Sequence, residues 1–180
     1  MNNIKEKINT LVNTRSVANF LVLAGVAIIV PCFIHAQWIT GPMINTVLIL
    51  ILFLVGLRSS LVICLVPSLI ALSSGLLPVV LAPVVPFIMI SNVIFILTID
   101  WFYTNINKDI KSYWMGLIVG SIFKFLFLFL SVKIISGLLI KQQLIMKVTE
   151  MMSWPQLFTA ITGGFIAWIV LVKMKKLGCE

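Results

Sequence analysis

Apolar side chains in this chain run in long blocks broken by short polar punctuation, and no stretch keeps the regular in-and-out alternation of a membrane β-strand. Hydrocarbon offers no water to unpaired backbone groups, so an apolar block of about 20 residues reads as a helix that satisfies its own amides and carbonyls. Six blocks qualify: Val17 to Ile34, Trp38 to Leu57, Leu61 to Leu77, Val84 to Phe102, Trp114 to Ile135 and Gln156 to Val172. The pattern predicts an all-α integral membrane protein, six transmembrane helices in one compact bundle, with residues 1–180 as a single domain. No small-residue cleavage site follows the first block, which is therefore read as a span and not as a removable signal.

Composition strengthens this picture. The chain is 61% hydrophobic and 10% charged, and its 13 basic and 5 acidic residues are too few to clothe a water-soluble fold. The net charge of +8 does not point to nucleic acid, because the basic residues lie between and beyond the apolar blocks and form no patch interleaved with aromatics. Their placement instead sets orientation. With the N-terminus in the cytoplasm, Lys5, Lys7, Arg15, Arg58, Lys108, Lys111, Lys173, Lys175 and Lys176 fall inside, against Lys141 and Lys147 outside. That bias predicts a multi-pass protein with both termini cytoplasmic.

The predicted outer connections are distinctive. HAQWITGP joins the first two spans and carries a turn signal at Gly41-Pro42. LLPVVLAPVVP, with Pro78, Pro83 and Pro86 and no charge, predicts a tight apolar hairpin partly sunk in the membrane. Residues 138–153 place Leu144, Ile145, Val148, Met151 and Met152 at helical spacing, which predicts an amphipathic segment on the outer interface.

Burial of apolar surface drives little association between helices in lipid, so stripes of small residues mark where they meet. Ser60, Cys64 and Ser68 form such a stripe on the third span, and Ala18 and Gly25 a sparser one on the first. Thr159, Gly163 and Ala167 form another on the sixth, beside Ala160 and Gly164. Each serves either packing inside the bundle or the docking of another membrane subunit. On the fifth span Gly116, Gly120 and Lys124 share one face, so the lysine is expected to point into the bundle near mid-membrane. There it either holds an anionic group of a solute, pairs with backbone carbonyls or snorkels along FLFLF; Lys133 is expected to be a snorkelling anchor.

Asn45 and Asn92 are expected just inside the outer half of the membrane, where an amide needs a partner: another helix, or a solute. Gln37, Trp38 and Thr40, together with Trp154 and Gln156, sit at the predicted outer mouth, either as interfacial belt residues or as an aromatic, amide-lined site. Asp100 is expected at the cytoplasmic boundary, and His35, the single histidine, at the outer surface. Cys32, Cys64 and Cys179 are far apart, without disulfide or metal spacing, so no metal site is expected. Neither a nucleophile with its base nor a phosphate-binding glycine pattern is present, which predicts a non-enzyme with no cofactor in this chain.

The six-span layout, the polar outer loop QWITGPMIN and the run GLLPVVLAPVVPFIMISN resemble the substrate-binding S components of energy-coupling factor (ECF) transporters. They are also similar to small bacterial membrane proteins labelled iron hydrogenase, a label the scattered cysteines contradict. The ECF resemblance implies a subunit of the bacterial cell membrane that captures a vitamin-like small molecule outside. It further implies docking on a transmembrane coupling subunit served by cytoplasmic ATPases, which would bind the ATP. Gln37, Trp38, Asn45, Asn92 and Lys124 would then line the pocket. The family's docking face carries alanines spaced by four on the first helix; here Ala18 is followed by Val22 and Ala24 by Ile28.

Overall fold

The computed structural model describes residues 14–33, 36–73, 79–138, 146, 148–150 and 152–174, and among these the only regular structure is helical. The elements are α1 (Thr14–Phe33), α2 (Gln37–Leu54), α3 (Leu57–Ile63), α4 (Val66–Ser73), a 3-10 segment (Val79–Val84), α5 (Val85–Asn105), α6 (Ile110–Leu138) and α7 (Trp154–Lys173). Three helical stretches are long and apolar enough to cross a membrane: Ala82–Asn105, Ile110–Val132 and Val148–Lys173. Ser16–Val30, Trp38–Leu54 and Leu57–Ile70 are apolar but shorter. Large side chains such as Leu21, Val22, Phe33, Leu130 and Ile134 face outward, a surface suited to lipid and costly in water.

The stretch expected as one third helix is two. Its helix begins at Leu57, earlier than expected, and breaks after Ile63. Pro67 supplies the physical reason: it has no N–H to give the Ile63 carbonyl, so the helix cannot run on through this point and restarts at Val66 with the proline in its first turn. At the break the Leu65 amide turns to the Val62 carbonyl at 3.2 Å. Gly56 separates α2 from α3 with φ at +130°, a conformation that only glycine adopts freely.

The Gly41-Pro42 pair makes no turn, contrary to expectation. Both residues lie within α2, which starts at Gln37. Gly41 is there for close approach, since a Cβ on it would come within 2.7 Å of Thr159 Cγ2 on α7. In the proline-rich stretch, residues 79–84 wind into a 3-10 segment that leads directly into α5, while residues 74–78, which include the start of the expected hairpin, lie outside the described residues. Of the segment expected on the interface, Val148 and Met152 are instead buried against Val84 and Leu128, with Phe87, Ile88, Phe127 and Val132 around them. Leu144, Ile145 and Met151, like His35, lie outside the described residues.

Helix α2 is the hub. Val47, Leu48, Ile49, Leu50, Ile51 and Leu52 are all buried, so the second half of this helix is enclosed on every side, as its unbroken apolar run requires. It packs against α1, α3, α5 and α7, while α5 and α6 form the most extensive helix pair. Glycines set the spacing. A Cβ on Gly116 would sit 3.1 Å from Ile99 Cα, and one on Gly120 3.2 Å from the Phe95 carbonyl oxygen, so α5 and α6 run antiparallel in close contact. Gly41 meets Thr159 and Gly163 meets Asn45, which makes α2 and α7 parallel. Close backbone approach at small residues gives dispersion contacts that lipid cannot match, and this is the attraction that holds such bundles together.

Candidate functional site

The side chain that organises the interior is Lys124. The row Gly116, Gly120, Lys124 turns its glycines onto α5, and the same face carries the lysine into the bundle, where it is 2% exposed. Its Nζ donates to Asn45 Oδ1 on α2 at 2.7 Å and to Asn92 Oδ1 on α5 at 2.8 Å. Both asparagines are buried, and the Phe95 ring centroid lies 5.3 Å from the ammonium. At ~1.5 Å per residue, Asn92 is about 10 Å from the start of α5 and Lys124 about 21 Å from the start of α6. Because the two helices are antiparallel, these depths coincide and put the cluster well inside an apolar layer of about 30 Å.

A fourth element reaches the same point. Asn92 Nδ2 donates to the Cys64 carbonyl at 3.5 Å, and Cys64 is the residue at which α3 breaks. The break that Pro67 enforces therefore leaves a main-chain acceptor at the cluster. Lys124, Asn45 and Asn92 are brought together as one unit, although their sequence positions give no sign of pairing. The Cys64 carbonyl and the Phe95 ring were not foreseen; the proline three residues after Cys64 was the available signal for the first.

The other expected pocket residues are elsewhere. Trp38 is 63% and Trp154 62% exposed, and Trp154 stacks on Phe125 with centroids 5.4 Å apart. Since α2 and α7 are parallel, both tryptophans stand at the same end of the bundle, near the first turns of those helices. The Thr40 hydroxyl is engaged with the Ala36 carbonyl of its own helix at 3.1 Å. Gln156 is half-buried in the first turn of α7, its amide bonded to the Ser153 carbonyl. Gln37 begins α2, but its side chain, like those of Arg15 and Lys133, lies outside the described residues.

The expected docking stripes divide. Ser60 is buried and donates its hydroxyl to the Leu48 carbonyl on α2 at 2.8 Å, and Cys64 is fully buried, so these two face the bundle interior and present nothing to a partner. The correction has a simple cause, since α3 packs on α2 with its small side. Ser68 is half-buried. On α1, Ala18 is exposed and Gly25 has nothing within 4 Å of where a Cβ would stand.

Two interhelical bonds escaped the sequence. The Tyr113 hydroxyl donates to the Gly164 carbonyl at 2.6 Å, and the Thr46 hydroxyl lies 2.9 Å from the Gly163 carbonyl and 2.8 Å from that of Pro42. Tyr113 immediately precedes the block expected to begin at Trp114, so the apolar pattern does not count it within a span. Among the described residues no group of three His, Cys, Asp or Glu side chains could hold a metal ion. Protein-family models, curated proteins and solved structures were each compared with the chain, and none matches.

Proposed function

We propose that this chain is the substrate-binding membrane subunit of an ATP-driven importer, one that captures a vitamin-like micronutrient outside the bacterial cell membrane. In this proposal the two shorter helices Ser16–Val30 and Trp38–Leu54, the broken pair α3 and α4, and the three long helices make six crossings. Both termini are cytoplasmic. The Trp38 and Trp154 end is the outer face, and a transmembrane coupling subunit with cytoplasmic ATPases, which bind the ATP, completes the transporter.

The observation that carries the proposal is the buried Lys124 ammonium, held by two neutral amides at depth in the bundle. Ionisable groups at membrane depth usually serve a solute or ion path, because insertion of an unneeded charge costs about 2.5 to 3.5 kcal/mol. The exposed Ala18 and the open space beside Gly25 give a docking subunit a place to approach α1 closely. Native mass spectrometry of the gently extracted protein tests this directly. A retained small molecule together with co-purifying membrane and ATPase subunits is the expected result, and an empty, solitary chain would overturn it.

One observation favours a second function, that of a membrane scaffold or accessory subunit without a solute pocket. Lys124, Asn45 and Asn92 hold one another across three helices through two short hydrogen bonds, as a purely structural pin would. A scaffold retains no solute, and its partners are unaffected by loss of Lys124.

A further inference from the structure

We infer that the Lys124 cluster is a site for one monoanionic group of the carboxylate kind. The inference deepens the importer proposal and rests on it for its biological role, since the cluster would then hold the charged end of the cargo.

Charge comes first. An ammonium taken out of water needs an opposite charge or a full set of acceptors. Among the described residues no Asp or Glu side chain is placed against the cluster, and the titratable group that faces Lys124 is the buried Cys64 thiol. Asp109 accepts from the Ser112 amide and hydroxyl, Glu150 is exposed, and Asp100 lies eight residues beyond Asn92, about 12 Å further along α5. Asn45 and Asn92 solvate the ammonium but do not neutralise it.

Hydrogen bonding points the same way. An ammonium has three N–H groups and accepts nothing, so both asparagines must turn their oxygens toward it and their NH2 groups away. Two of the three ammonium protons have acceptors. Asn92 Nδ2 reaches the Cys64 carbonyl at the long distance of 3.5 Å, and Asn45, its oxygen committed to the ammonium, keeps its NH2 group as a donor. What the cluster still offers is weighted towards donors, namely the third ammonium proton, the Asn45 NH2 group and the second N–H of Asn92, against one remaining lone pair on each asparagine oxygen. Their complement is an acceptor with a full negative charge. A monoanion matches the single positive charge, whereas a dianion would leave a net charge in the same dry environment.

Exposures of a few per cent mean that such a group enters only when the helices part. The break between α3 and α4 lies against Asn92 and gives the bundle a joint at that point.

The test uses the purified full chain in detergent, with benzoate, benzamide, benzylamine and inorganic phosphate as probes, read by thermal shift and by titration calorimetry. Benzoate is expected to raise Tm while benzamide and benzylamine do not, and its Kd should rise at least tenfold in Lys124→Met and in Asn45→Asp. The Asn45→Asp variant places a carboxylate in the cluster, so it should lose benzoate while keeping or raising its own Tm; it decides the matter if Lys124→Met does not fold. Equal stabilisation by benzamide or phosphate, or unchanged benzoate affinity in Asn45→Asp, would overturn the inference. Native mass spectrometry separates the two proposals. A neutral solute retained equally by wild type and Asn45→Asp removes the anion site and leaves the importer, whereas benzoate binding by a chain that brings down no transporter subunits keeps the site and removes the importer.

Discussion

Lys124 on α6 and Asn45 on α2 are 79 positions apart in the chain, yet Nζ and Oδ1 meet at 2.7 Å with both side chains buried. With Asn92 the lysine ties the hub helix to the α5–α6 pair. Removing one acceptor from a buried cation leaves part of its desolvation uncompensated, so Asn45→Ala should lower stability by about 2 kcal/mol. Lys124→Met removes the desolvated charge but leaves both buried asparagine oxygens without their donor, so it should be destabilising by a comparable amount. Thr40→Ala, which loses a bond only to its own helix, serves as the near-neutral reference. Thermal unfolding in detergent checks both, and an Asn45→Ala or Lys124→Met variant as stable as Thr40→Ala would contradict the expectation.

Glycines on α7 and α1 should behave oppositely. A Cβ on Gly163 would fall 2.7 Å from both Asn45 Cβ and the Pro42 carbonyl oxygen, and backbone cannot step aside. Gly163→Ala should therefore cost roughly 1 to 3 kcal/mol and spread α2 from α7. Gly25→Ala meets nothing within 4 Å and gains helix propensity, up to about 1 kcal/mol. Comparing the two Tm values in detergent checks both signs.

These contrasts show what the sequence carried and what it did not. Apolar length located α1, α2, α5, α6 and α7, because hydrocarbon-length helices need nothing beyond a run of suitable side chains. The inward aim of Lys124 was also readable, since Gly116 and Gly120 on its face admit only a close neighbour. Partners were not readable. Nothing local distinguishes Asn45 meeting Lys124 from Asn45 meeting a solute, for the choice depends on which of several helices lies alongside. Ser60 failed for the same reason, because a small residue can face inward or outward with identical spacing. Pro67 was a different kind of miss: the apolar run continues through it, and hydropathy outweighed the backbone signal that breaks the helix.

Gly56 tests the joint between α2 and α3. At φ +130° any side chain is strained, whatever the free space, and none lies within 4 Å to complicate the matter. Gly56→Ala should lower stability by about 1 to 3 kcal/mol through backbone strain alone. Replacement by Asn should not rescue it, because this conformation lies outside the left-handed region that Asn tolerates. Full recovery with Asn would show that the turn relaxes to an ordinary conformation.

The turn before α6 supplies the pH-dependent prediction. Asp109 caps the helix, Oδ1 accepting from the Ser112 amide at 2.7 Å and from the Ser112 hydroxyl at 2.7 Å. Hydrogen bonds from the Ser112 amide, then from its hydroxyl, favour the charged carboxylate and hold its pKa below the ordinary aspartate range. A group whose folded pKa is depressed stabilises the fold above its unfolded pKa and loses that contribution as pH falls through the folded value. The cap is therefore intact at neutral pH and fades below about pH 4, where an unfolded aspartate takes up its proton. Asp109→Ala should lower Tm at pH 7, and the difference from wild type should shrink as the pH is taken down through that range. Ser112→Ala should give the same trend more weakly, since the amide donor survives while the hydroxyl is lost. A Tm difference for Asp109→Ala that stays constant between neutral pH and the acid range would show that the carboxylate's charge plays no part in holding the start of α6.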